Sequence, residues 1–188
     1  MTQFRSPESV DPRFVVSFWR AAGPTRWFKK STLFDAEVGR RLGSLHYWAA
    51  AGMLDHLATK SAHGALALIL LLDQIPRNMF RGSARAFATD EHAREIARYA
   101  ISRGLDRRVT RALRGFFYLP FMHSEHLADQ ALCLALYQTL NDKQGLKYAE
   151  IHLDIIRRFG RFPHRNEALG RETTKAEQQF LNQGGFAG

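Results

Sequence analysis

Three short strings of this 188-residue chain crowd arginine, histidine and carboxylate side chains together, the groups that bind anions or move protons. The first is Asp73-Gln74-Ile75-Pro76-Arg77-Asn78-Met79-Phe80-Arg81-Gly82. It follows an apolar run directly, so Asp73 and Gln74 start at the edge of a core, where an unpartnered polar group costs about 1–3 kcal/mol. Arg77 and Arg81 are natural partners, because guanidinium takes carboxylate in a two-bond fork. With Asn78 they read either as a clamp tying a helix end to the next turn or as a ligand-facing anion site.

The second string is Tyr118-Leu119-Pro120-Phe121-Met122-His123-Ser124-Glu125-His126, followed by Gln130. Adjacent helical residues point about 100° apart, so His123, Ser124 and Glu125 cannot form a nucleophilic triad among themselves. They read as a helix start, with Ser124 as N-cap and Glu125 favoured by the positive end of the helix dipole. A site built from His123, His126, Glu125, Asp129 and His152 matches no recognised metal spacing, so no metal is assigned. The third string runs from His152 through Asp154, Arg157, Arg158, Arg161, His164 and Arg165 to Asn166. Its donors suit carboxylate or phosphate, or the bracing of acidic groups from the other two strings.

The leading expectation is that the strings converge on one pocket for a small anionic ligand or the end of an acidic peptide. Its lining would be Asp73, Gln74, Arg77, Asn78 and Arg81, then His123, Ser124, Glu125 and Gln130, then His152, Arg158, Arg161, His164, Arg165 and Asn166. An enzyme reading adds His123 or His164 as general acid or base, oriented by Glu125 or Asp73. A third reading is a helical scaffold that grips a protein partner. No pattern names a cofactor or a reaction.

Composition narrows the class. Lysine and arginine number 27 against 18 acidic residues, a net charge of +9, but the excess lies in residues 1–120 and vanishes beyond. Arg103, Arg107, Arg111 and Arg114 would share a face of a continuous helix, which reads as a solvated face or a phosphate-tracking stripe. Gly104 interrupts it, and no zinc-finger spacing or glycine-rich phosphate loop accompanies it, so nucleic acid is the least supported partner. With 45% hydrophobic and 24% charged residues the chain is globular rather than disordered. The single cysteine, Cys133, excludes an intramolecular disulfide and sits among apolar neighbours as a core residue. The apolar run Ala65–Leu72 is far short of the roughly 18 residues of a membrane helix, and the N-terminus has no apolar signal region. A soluble, cytoplasmic protein is the expectation.

The elements that must position these strings read as helices. Asp11-Pro12 opens one that Gly23-Pro24 closes. Thr32 caps a second, with Phe34, Val38, Leu42, Leu45 and Ala49 inward, ending near Gly52. Ser61 to Gly64 reads as a loop. Gly64 to Gln74 reads as an enclosed helix that Pro76 stops or kinks. Further helices are expected from Thr89 or Asp90 to Ser102, from about Asp106 to Phe117 and from about Ser124 to Leu140, the last with Leu127, Ala131, Leu134 and Leu136 inward. The spacing then predicts helices over Leu146 to Phe159 and after Thr174, where Thr174 and Glu177 fit a capping box. The sum is one all-α domain, residues 1–188, of roughly eight or nine helices.

The strings LALILLLDQIPRNMFRGSARAFATD, YLPFMHSEHLADQ and IIRRFGRFPHRNEALGRETTKAE, with the FW and WF pairs near the start, closely resemble the bacterial family of domain of unknown function 924. The resemblance runs from about Phe14 to Phe180. It implies a tetratricopeptide-like fold, antiparallel helix pairs stacked into a right-handed superhelix, and brings no biochemical activity. His126 departs from it, standing where an acidic or polar residue is expected.

Overall fold

Helix α1, Pro12–Ala22, starts as the dipeptide dictates: Asp11 accepts from the Arg13 N–H, and Pro12 occupies the first turn, where no N–H is needed. Helix α2, Thr32–Ala50, is capped one residue earlier than expected, by Ser31, whose Oγ accepts from the Phe34 N–H. Its inward stripe of Phe34, Val38, Leu42, Leu45 and Ala49 is buried as the spacing predicts. The structure is a computed structural model and describes residues 5–187. Among these there is no strand, and 73% of the chain is helical. No helix of the described residues is long and apolar enough to cross a membrane.

The segment expected to be a loop at Ser61 to Gly64 is a helix start instead. Ser61 accepts from the Gly64 N–H, and α3 runs Ala62–Ile69. A β-carbon on Gly64 would strike the Leu57 carbonyl, so only glycine permits that approach. Pro76 does not stop this helix. The backbone widens into a π-turn at Leu70–Gln74, the Ile75 N–H reaches back to the Leu70 carbonyl, and α4 continues as Ile75–Met79. Pro76 cannot donate to the Leu72 carbonyl four residues back, and Thr89 Oγ1 donates to it instead at 2.5 Å. His46 Nδ1 donates to the Leu71 carbonyl at 2.9 Å, and Arg77 Nη1 to that of Asp73 at 2.6 Å. Three side chains thus serve three successive carbonyls of a fully buried turn.

Helix α5, Asp90–Ser102, buries Ala93, Ala97 and Ala100 and leaves Ile96 half-buried; Thr89 precedes it without capping it, its hydroxyl being spent on Leu72. The expected helix from Asp106 to Phe117 is broken into a 3₁₀ turn Leu105–Arg108, one helical turn Arg111–Arg114 and another 3₁₀ turn Gly115–Phe117. Val109 and Thr110, both extended, separate the pieces, while Asp106 turns inward to accept from the Tyr118 hydroxyl at 2.8 Å. The arginines from Arg103 to Arg114 therefore share no continuous helix face.

Helix α6, Leu127–Leu140, begins three residues later than expected, with His126 and not Ser124 at its N-cap. Its buried face is Asp129, Gln130, Cys133, Tyr137 and Leu140, whereas Leu127 and Ala131 are exposed and Leu134 and Leu136 half-buried. Asn141, in the left-handed region, ends it, and Asp142 caps α7, Lys143–Phe159. So short a link folds α7 back antiparallel on α6. Gly145 lets them close: a β-carbon there would overlap the Tyr137 ring. Helix α8, Lys175–Asn182, carries the capping box as read, between Thr174 and Glu177.

The contacts group the chain into two compact units. The first holds the described residues to Arg81 with Arg85–Pro120; the second holds Gly82–Ala84 with the described residues from Phe121. In the first, α2 packs on α4, and α3 on α1 and α5.

If Thr89 substitutes for the N–H that Pro76 lacks, Thr89→Val lowers unfolding stability by about 1–3 kcal/mol. In a Pro76→Ala background, which restores an N–H, the same change costs less. Urea unfolding of the four proteins of that cycle measures the coupling.

Candidate functional site

In the second unit the second and third strings are joined through residues beyond both. Burial would raise the Glu125 carboxyl, but bonds from Arg171 and the Phe162 N–H, with the Arg171 charge, outweigh it and hold it below the ordinary glutamate range. Arg171 forks onto Glu125 through Nη1 and Nη2 at 2.8 and 3.0 Å, and the Phe162 N–H donates to the same carboxylate at 2.8 Å. Glu125 is therefore no helix-dipole residue. Arg171 also donates Nε to Asn166 Oδ1 at 3.0 Å and Nη2 to the Phe162 carbonyl at 3.1 Å, so every nitrogen of its guanidinium is bonded.

Asn166 passes the network on. Its Nδ2 lies 3.3 Å from Thr173 Oγ1 and 3.4 Å from Glu177 Oε2. Glu177 is buried and takes the Arg161 fork at 2.7 and 2.9 Å. The Arg161 bonds come first among the causes that bring its carboxyl down to about 2, and the Thr174 cap adds to them against burial. Arg161 spends Nε and Nη2 on Glu177 and the Glu172 carbonyl; its Nη1 has no hydrogen-bond partner among the described residues. Arg161, Arg171, Glu172, Thr173 and Thr174 line an open hollow of about 520 Å³.

Beside this network lies a cluster of rings. His152 packs 4.4 Å from Phe186 and 5.4 Å from Phe162, centroid to centroid, and His164 packs against the same two rings. The buried Arg165 guanidinium stands 4.5 Å over Phe162. Nδ1 of His152 donates to the Tyr148 carbonyl at 2.8 Å. Burial, with the charges of His123, His164 and Arg165, pulls His152 down to about 3, and the bond to Tyr148 only partly offsets this. An imidazole so depressed is a weak proton acceptor at neutral pH, where acid–base catalysts are tuned toward 7. No three His, Cys, Asp or Glu side chains among the described residues are placed to hold one metal ion.

Ser124, Gln130 and Arg158 have structural partners. Ser124 Oγ donates to Asp129 at 2.7 Å, and Gln130 Nε2 reaches the carbonyls of Met122 and Ser124, each at 2.7 Å. These bonds close the turn before α6 and explain its polar buried face. Arg158 is exposed, ion-paired to Asp154 and laid over Phe159 and Phe180.

The first string belongs to the first unit and is bonded there. Gln74 Nε2 donates to Asp73 at 2.6 Å, and Arg77 forks onto Asp90 at 2.8 and 2.9 Å while lying 3.4 Å from Asp73. Burial opposes the Arg77 charge, but Asp73 and Asp90 overcome it and raise its pKa, so it stays protonated. Asn78 and Arg81 both bond Asp35, the arginine at 2.6 and 3.0 Å. Burial alone would raise the Asp35 carboxyl; Arg81 and Asn78 lower it on balance.

The family described as bacterial protein of unknown function, DUF924, matches residues 15–185. The chain belongs to that family. A solved protein of unknown function from Agrobacterium tumefaciens is 48% identical and superposes with a TM-score of 0.88, over 92% of this chain and 97% of that one. No curated protein matches this DUF924 chain. The all-helical class and the family resemblance are thus established, and neither brings an activity.

Sequence reasoning missed Arg171, Thr173 and Asp90 as partners and saw Glu177 only as a capping residue. The signal for Glu177 was there: a box carboxylate next to an arginine-rich loop has a second oxygen to offer.

Two pH dependences follow. The unfolded chain takes up a proton on His152 below about 6.5, and the folded chain refuses it down to about 3, so stability falls as pH drops through that window. His152→Phe should flatten this fall. Glu177 stays ionised in the folded chain to about 2, against 4.5 ordinarily, so its stabilisation is present above 4.5 and lost from there toward 2. Glu177→Gln should lower stability at pH 7 and shrink that lower segment, to which Glu125 and Asp35, also held below the ordinary carboxylate range, contribute as well. Urea midpoints measured from pH 7 to 2 check both.

Proposed function

We propose that this DUF924 protein is a binding protein whose ligand is a small anion, a phosphate or carboxylate, held in the hollow at Arg161. The observation that carries the reading is a set of donors left over once the ion pairs are made. Arg161 Nη1 has no partner among the described residues. Thr173 Oγ1 accepts from Asn166, and Thr174 Oγ1 accepts from the Glu177 N–H, so each hydroxyl proton is still available to a ligand. All three residues line the same hollow. The half-buried pairs behind them, Arg161 with Glu177 and Arg171 with Glu125, hold the guanidinium frame rigid, which reduces the ordering cost of binding.

Isothermal titration with inorganic phosphate and with succinate tests the reading. Binding should weaken about tenfold in Arg161→Ala, the loss of one charge-assisted contact. Because that change also unpairs Glu177, Thr173→Val serves as the second variant; it leaves both ion pairs standing and should weaken binding severalfold. Affinity unchanged in both variants, or no saturable binding of either anion, removes the proposal.

A further inference from the structure

The first unit holds a second hollow that the polar strings do not touch. Phe14 and Phe18 of α1 and Phe34 of α2 line an open hollow of about 570 Å³, together with Arg26, Glu37 and Arg41. Phe18 and Phe34 lie parallel to within 5°, their centroids 6.1 Å apart. The Arg41 guanidinium stands 5.0 Å from the Phe18 centroid and 5.5 Å from that of Phe14, and Arg26 stands 5.8 Å from Phe34. Ring faces and guanidinium groups thus alternate around one space, a pairing held by the ring quadrupole.

Glu37 sits between the two arginines. One carboxylate oxygen is 3.8 Å from Arg41 Nη1 and the other 3.8 Å from Arg26 Nη1. That separation gives attraction without a hydrogen bond. Neither Arg26 nor Arg41 makes a hydrogen bond to any described residue, so their planar donor forks remain open. Asp11, also at the hollow, is already taken by Arg13, whose backbone N–H and Nε both donate to it. Two guanidinium groups against one loosely held carboxylate leave an excess positive charge over an aromatic lining.

We infer that this hollow binds a small amphipathic anion: a planar apolar ring bearing one carboxylate, the ring against the half-buried Phe14 and Phe18, the latter backed by the buried Phe34, and the carboxylate on Arg26 and Arg41. The ring supplies buried apolar area and face or edge contacts with the phenyls. The carboxylate takes the bidentate geometry that Glu37 approaches without reaching. Glu37 then competes with the ligand, and its removal strengthens binding. This selectivity for a ring distinguishes the hollow from the one at Arg161, where the available donors are all polar.

Isothermal titration of the full chain with 2-naphthoate tests the inference, with acetate and the uncharged 2-naphthalenemethanol as controls. Naphthoate should bind saturably at one site, at least about tenfold more tightly than either control. Arg26→Gln and Arg41→Gln, both half-exposed and free of hydrogen-bonded partners, should each weaken it about tenfold. Glu37→Gln should tighten it severalfold, and Arg161→Gln should leave it unchanged. Equal binding of acetate or of the alcohol, indifference to both arginine substitutions, weaker binding in Glu37→Gln, or absence of saturable binding overturns the inference. Phosphate binding weakened in Arg161→Ala with naphthoate binding intact separates the two hollows.

Discussion

A proline in the middle of a buried helix is the constraint on which the first unit depends. Residues from Ala65 to Leu72 are apolar and fully enclosed, so their backbone has no water to turn to. Pro76 removes one donor from this backbone, and the π-turn displaces others. What remains must be met by side chains brought from elsewhere: His46 on α2, Thr89 before α5, and Arg77 within the same helix. Each of these residues draws its own element to the turn. Arg77 then needs Asp90, and Asp73 needs Gln74, so the polar string is the continuation of a backbone requirement. That string is a clamp because the helix beneath it cannot be satisfied alone.

The second unit has the same logic with a different origin. There the chain after α7 runs from Phe159 to Thr174 with only a 3₁₀ turn, Pro163–Arg165, in between. Turn-like backbone bonds hold it between Phe162 and Arg171, and the carboxylates of Glu125 and Glu177 take the Phe162 and Thr174 N–H groups at its two ends. Two arginines bridge these acceptors, Arg161 forked onto Glu177 and Arg171 onto Glu125, so removing one acid frees a half-buried guanidinium and unlatches the segment. Glu125 is spent twice, on Arg171 and on the Phe162 N–H, and ties the segment before α6 to the segment after α7.

Much of the helix pattern was legible because it rests on local chemistry. Asp11-Pro12, the α2 stripe and the Thr174 box are rules of spacing and capping, and they appear where the residues stand. Several differences from expectation share one cause, tertiary partners that override local preference. Pro76 is tolerated since Thr89 lies thirteen residues away in sequence yet beside the helix in space. Ser124 was read as a cap because serine caps helices, but Asp129 draws its hydroxyl and the cap falls to His126. The spacing predicts Leu127, Ala131, Leu134 and Leu136 on the inward face of α6, but the turn before it requires Asp129 and Gln130 there instead. For the site, residue types were visible and pairings were not: Arg161 and Glu177 are sixteen residues apart, and spacing alone does not select one carboxylate among several.

Arginine is the residue that both specifies this structure and offers it to ligands, and what divides the two roles is how many donors remain. Arg171 bonds through every guanidinium nitrogen, to Glu125, Asn166 and the Phe162 carbonyl, so an incoming anion would displace bonds worth as much as those it makes. Arg77 is held likewise between Asp73 and Asp90. Arg161 keeps one edge free, and Arg26 and Arg41 keep all theirs, with only a distant carboxylate nearby. Exposure costs those last two little in stability, since surface pairs contribute about 0–1 kcal/mol. A net charge of +9 therefore overstates what the protein has available for binding. Much of the positive charge in the polar strings is committed to holding helix ends together, while Arg161 at one hollow and Arg26 and Arg41 at the other retain donors that a ligand can use.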